Sequence, residues 1–131
     1  MIKGTTAQFK FKIAPYTFGQ ILNAEIAFWQ YNRNDGSKIN QIIKNRTHCD
    51  AKSTDTDVYI NLSPADTQEF SDESKAYVQF RALLTDEATH IGSKQYQFTV
   101  HPAHNDKPLE GSIEDMLPVQ DGYFILDGGE I

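Results

Sequence analysis

Regular patterning begins at Gln8-Phe9-Lys10-Phe11-Lys12-Ile13, where polar and apolar side chains alternate. Successive side chains of an extended chain point to opposite faces, so Phe9, Phe11 and Ile13 share one side and Gln8, Lys10 and Lys12 the other, which predicts a half-buried strand. Pro15 removes a ladder donor and Gly19 permits a turn, so a loop follows. Residues 23–31 are β-rich around Ile26, Phe28 and Trp29 and run into a polar stretch containing Asp35-Gly36, a hairpin signal because glycine tolerates positive φ. Residues 38–44 then form the returning strand, with Ile39 and Ile43 on one face. Helical spacing also fits Ile39, Ile42 and Ile43, and the Asp-Gly turn decides for a strand.

Small polar residues over 50–57 predict a loop, after which Val58, Ile60 and Leu62 alternate inward. Ser63 can cap one or two helical turns, with Pro64 at the first helical position and Asp66 near the positive end of the dipole. The strongest strand covers 76–84, placing Ala76, Val78, Phe80 and Ala82 opposite Tyr77, Gln79 and Arg81. Residues 85–89 turn the chain, and a closing strand over 94–100 points Tyr96, Phe98 and Val100 inward. Six or so short strands separated by turns, with at most one short helix, predict two packed antiparallel sheets, an all-β sandwich, over residues 1–104. Beyond residue 105, Pro and Gly lie among acids, the composition of an extended C-terminal arm (105–131) without a core of its own. Met116-Leu117 and Tyr123-Phe124-Ile125-Leu126 are apolar islands within it, read as docking segments that need another surface.

Composition adds three constraints. With 131 residues, 39% hydrophobic and 23% charged, the chain can bury a core as one domain. The net charge of -6 is carried by residues 105–131, which hold 7 acids and 1 Lys, while residues 1–104 hold 11 of each sign. A neutral body with an acidic arm offers no basic stripe for phosphates, so direct nucleic-acid binding is not expected and a basic protein surface suits the arm better. No apolar run approaches a membrane span and no secretion leader is evident, so synthesis in a cytoplasm is expected. Cys49 is alone, which excludes an internal disulfide and reads as a small buried hydrophobe.

Three stretches in order carry a resemblance. Met1-Ile2-Lys3-Gly4-Thr5-Thr6 leads straight into a Phe-rich strand, Leu62-Ser63-Pro64-Ala65-Asp66-Thr67 turns after another, and Val78-Gln79-Phe80-Arg81-Ala82-Leu83-Leu84-Thr85-Asp86 forms the strongest. Together they resemble small β-sandwich proteins of tailed phages and prophages, and more loosely the N-terminal domain of phage upper baseplate proteins. The likeness covers roughly residues 1–104. It implies an immunoglobulin-like domain in the virion, as a capsid decoration, neck or baseplate component, with no catalytic residues to carry over. The polar hairpin around residues 32–37 and the acidic arm depart from it.

Candidate chemistry is sparse. His101, His104 and Asp106 could ligate zinc but supply neither a helical face nor a third strong ligand. Neighbours His48-Cys49-Asp50 point to opposite faces and cannot form a dyad. Asn45-Arg46-Thr47 fits a glycosylation acceptor, read as coincidence in a chain without a leader. Asp55, Asp57, Asp66, Glu69, Asp72 and Glu73 lack the spacing of a calcium loop, and Gly128-Gly129 has no phosphate-loop context.

Tyr16, Phe18, Trp29 and Tyr31 read as an exposed aromatic set. Alternation allows either Phe28 or the pair Trp29 and Tyr31 to face the core, so one side of that strand must show rings to solvent or a partner. The expectation is a binding protein, not an enzyme, with no cofactor or metal. It docks on other virion proteins in a multi-copy symmetric assembly through Trp29, Tyr31, Met116, Leu117, Tyr123, Phe124, Ile125 and Leu126. The alternatives are a carbohydrate-binding or host-adhesion module using Trp29, Tyr31 and Tyr16, and a small metal-dependent enzyme built on the histidines.

Overall fold

A computed structural model describes residues 1–71 and 75–102 in full and the backbone of Val119–Ile125. Its strands are β1 (Ala7–Lys12), β2 (Ile21–Tyr31), β3 (Lys38–Asn45), β4 (Cys49–Asp50), β5 (Asp57–Leu62), β6 (Lys75–Leu84), β7 (His90–Gly92), β8 (Tyr96–Thr99) and β9 (Val119–Ile125), with a short helix α1 (Pro64–Gln68) between β5 and β6. One sheet has the order β4-β5-β1-β9; the other has β3-β2-β6-β7, with β8 also on β6. Pairing is antiparallel except between β1 and β9, which run parallel. In immunoglobulin lettering β1 to β6 stand for B, C, C′, D, E and F, and β7 with β8 for G. The chain is thus an all-β sandwich, and β9 lies where strand A would be.

The alternation works as read. Phe9, Phe11, Val58, Ile60 and Leu62 from one sheet meet Ile26, Phe28, Val78 and Phe80 from the other, all fully buried. Phe9 joins the layers, its ring centroid 5.2 Å from Phe28 and 5.1 Å from Phe98. Ser63 accepts from the Asp66 N–H and Asp66 accepts from the Ser63 N–H, a reciprocal cap that starts α1 at Pro64 as the sequence predicts. Gly36 (φ 72°) closes the β2–β3 hairpin, and its N–H bonds the Asn32 carbonyl at 2.8 Å.

Local irregularities depart from the simple pattern. Opposite Trp29, β3 carries one extra residue: Phe28 pairs with Ile42 but Gln30 with Ile39. The bulge sits at Asn40, in the left-handed region at φ 53°. It flips the face, so Ile39 and Ile43, expected together, point to opposite sides: Ile43 is 54% exposed and Ile42 takes the core-side place. The closing strand is likewise broken, into β7 and β8, because three residues, 93–95, span two on β6. Ser93 holds the break, its N–H donating to the Phe80 carbonyl at 2.9 Å and its Oγ accepting from the Phe80 N–H at 3.0 Å.

The largest difference concerns the arm. Residues 105–131 were expected to lie outside the sandwich, yet over Val119–Ile125 the backbone forms β9 alongside β1, from Ala7↔Val119 to Lys12↔Ile125. Asp121 is the extra residue of a bulge between Gln120 and Gly122. A parallel edge strand needs only matched backbone donors and acceptors, so the Gln-Asp-Gly interruption that hid it from the hydrophobic pattern is tolerated.

Candidate docking face

The outer face of the β3-β2-β6 sheet gathers aromatic rings. Because Phe28 faces the core, Trp29 and Tyr31 point outward from β2, and Tyr77 rises beside them from β6, in register with Trp29. Trp29 stacks on Tyr77 at 6.0 Å and 19°, while Tyr31 meets Tyr77 edge-on at 5.0 Å and Trp29 at 6.4 Å. From β3, the Lys38 ammonium lies 4.6 Å from the centre of the Trp29 ring. Trp29, expected to be exposed, is therefore only 2% exposed, walled by Tyr77 on one side and Lys38 on the other, with Tyr31 (36% exposed) as the outermost ring. Farther along this face, Ala27 and exposed Ile43 are cross-strand partners, and Arg81 donates to Glu25 at 2.6 Å between strands. A shallow depression of about 440 Å³ opens there, lined by Asn23, Glu25, Ile43, Arg81 and His90 among others.

A buried amide fixes one end of the face. Gln30, fully buried, accepts through Oε1 from the Ser71 N–H and the Asn40 side chain, both at 2.8 Å, and donates to the Ser71 carbonyl at 3.2 Å. This ties the β3 bulge to the segment entering β6 and sets where Lys38 and Tyr31 emerge. Sequence reading missed Gln30 and Asn40 because a polar residue inside an apolar alternation looks like a face change. Tyr77 was readable as outward but not as the partner of Trp29, which needs the β2–β6 register. Replacing Lys38 with alanine should uncover the Trp29 ring. Trp29 is the sole tryptophan, so its emission should move to longer wavelength, with a stability loss of about 0.5–1 kcal/mol in urea unfolding.

The other expected members of the site fall elsewhere. Phe18 is core, 6% exposed, with the Arg46 guanidinium 4.3 Å above its ring, and Tyr16 packs partly buried against the same core. Both leave the exposed aromatic set, because the loop over 14–19 folds back onto the sandwich: the Phe18 and Gly19 N–H groups bond the Asp55 and Ser53 carbonyls at 2.8 Å. Tyr123, Phe124 and Ile125 lie in β9, of which only the backbone is described; Met116, Leu117 and Leu126 lie outside the described residues.

The remaining motifs serve local structure. His48 Nδ1 accepts from the Asn45 N–H at 3.2 Å, and Asn45 Oδ1 accepts from the Thr47 N–H at 3.0 Å, so Asn45-Arg46-Thr47-His48 form one tight turn that leads into Cys49 and Asp50 of β4. Burial pushes the Cys49 thiol up to about 11 against the opposing pull of Arg46. At pH 8 its thiolate fraction is about 100-fold below that of a free thiol, so iodoacetamide should label native Cys49 about 100-fold more slowly than the urea-unfolded chain, read by mass spectrometry. The unfolded thiol ionises first as pH rises above 9.0, its ordinary value; the stability this burial gives is therefore lost across the interval up to the folded value.

Asp57 pairs with Lys10 at 3.6 Å, Asp66 with Lys44 at 3.0 Å, and Asp55 accepts from the Lys52 N–H at 2.8 Å, so these acids are spread over separate partners. Asp72, Glu73, His104 and Asp106 lie outside the described residues. Among the described residues no three His, Cys, Asp or Glu side chains converge as metal ligands. No described helix is long and apolar enough to cross a membrane.

Comparison with known proteins adds no assignment. No protein-family model, curated protein or solved structure matches the chain.

Proposed function

We propose that this protein is a non-enzymatic structural subunit of a tailed-phage virion, docking on other virion proteins through the outer face of its β3-β2-β6 sheet and through its C-terminal segment. The observation that carries the docking half is Tyr31, the outermost ring of a preassembled cluster in which it rests on Tyr77 and the covered Trp29, on the same sheet face as exposed Ile43. Rings held in place by one another and by Lys38 lose little freedom on binding, which is what an interface anchor requires. The virion assignment rests on the order of the three sequence stretches that resemble phage sandwich proteins. Multiple copies in a symmetric particle would raise effective concentration and make a small face sufficient. A sugar-binding platform is less well supported, since Trp29, the ring on which a sugar would stack, is covered on both sides.

The test is incorporation. Tyr31→Asp combined with Ile43→Asp places two charges on the face while leaving the core untouched. Particles produced with this variant should lack the protein, although its unfolding midpoint stays within a few degrees of the parent. Full occupancy of the particles would overturn the reading.

A further inference from the structure

We propose that β9 is an exchangeable strand, and that in the assembled protein residues 119–125 of one copy pair with β1 of a second copy in the register they hold within one chain. This names the partner of the C-terminal segment and rests on the reading of the protein as an assembly subunit. Strand β1 is paired along both of its edges. Its neighbour on one side is β5, and on the other the backbone groups of Ala7–Lys12 are met by β9. An immunoglobulin-like sandwich usually fills that position with the strand preceding B in the chain. Here the position is filled last and in parallel, by a segment that reaches it only after residues 103–118.

That connection decides what exchange costs. Sixteen residues can span about 55 Å, whereas a compact chain of 131 residues has a radius of gyration of roughly 14 Å. The segment is therefore long enough to reach β1 of a neighbour as well as its own. A swapped strand makes the same backbone pairing as an unswapped one, so only the effective concentration of β1 separates the two arrangements. Inside an assembly the neighbour's β1 is held at a concentration comparable to the chain's own, and each exchange then joins two copies. The bulge at Asp121 keys the pairing, since sliding by one residue would misplace the extra position against Gln8 and Phe9.

The experiment uses the full-length chain carrying Cys49→Ala. Lys10 and Tyr123 are register partners, and paired residues of adjacent strands lie about 4.8 Å apart, within disulfide range. Lys10→Cys and Tyr123→Cys are made in separate chains, mixed at high concentration and oxidised mildly. Exchange predicts a disulfide joining the two substituted positions of different chains, identified in a tryptic digest and about tenfold more abundant than same-variant dimers. The Lys10→Cys/Tyr123→Cys double variant should close within one chain when dilute and between chains when concentrated. A second pair, Lys12→Cys with Ile125→Cys, should behave alike.

If the double variants close internally at every concentration and the mixtures give no cross-link above unmixed controls, exchange is overturned while the outer-face reading stands. If the double variants fail to close at all, β9 does not hold β1 and the proposal also falls. Loss of incorporation in the outer-face variant with normal cross-linking would leave exchange intact.

Discussion

Phe9→Ala should lower the free energy of unfolding by about 3–5 kcal/mol, the usual cost of deleting a fully buried ring. Phe9 is 0% exposed and touches both layers at once: it belongs to β1, while its ring partners Phe28 and Phe98 come from β2 and β8 of the facing sheet. Phe98 in turn meets Phe70 edge-on at 6.1 Å, so the cavity left by the missing ring opens at a junction of three segments that collapse cannot easily fill. A domain of this size is stable by only about 5–15 kcal/mol, so the variant should sit near its limit at 37 °C. Urea unfolding followed by Trp29 emission measures it, and the outward Tyr31→Ala serves as contrast, expected to cost under about 1 kcal/mol. A loss below about 1 kcal/mol at Phe9 would mean that the sheets do not interlock through this ring.

The same contrast explains what could be read from sequence. Faces were legible wherever alternation ran unbroken: Phe9 and Phe11, Val58 to Leu62 and Ala76 to Ala82 lie where their period of two puts them. Reading failed where one extra residue entered a strand. A bulge at Asn40 inverts Ile43, another at residues 93–95 splits the closing strand, and both are stabilised by polar groups, Gln30 and Ser93, whose partners are remote in sequence. Exposure was misjudged at Trp29 and Phe18 for a related reason. Alternation states which side of a sheet a ring occupies, but Tyr77, Lys38 and Arg46 determine whether anything covers it there. The aromatic face was thus half legible: alternation puts Trp29 and Tyr31 on it, whereas Tyr77 and the Gln30 clamp require the register between β2 and its neighbours.

Deleting residues 105–131 tests the second large effect, and the fold changes its sign from neutral to destabilising. A free arm could be removed without disturbing the body. Removing a strand paired along β1 from Ala7 to Lys12 strips several backbone hydrogen bonds from an edge. At about 1 kcal/mol net for each bond, less the ordering entropy of the segment, the loss should be about 3 kcal/mol, or roughly 10 °C in the unfolding midpoint. The exposed β1 edge should also make the truncated chain prone to self-association, because its row of unpaired groups can template another strand. Calorimetry and size-exclusion chromatography read the two consequences separately. A synthetic peptide covering residues 119–125, added to the truncated chain, should raise the midpoint in a concentration-dependent way, since a ligand that binds only the folded state stabilises by mass action. An unchanged midpoint on deletion, with no response to the peptide, would return the segment to the status of an arm lying wholly outside the sandwich.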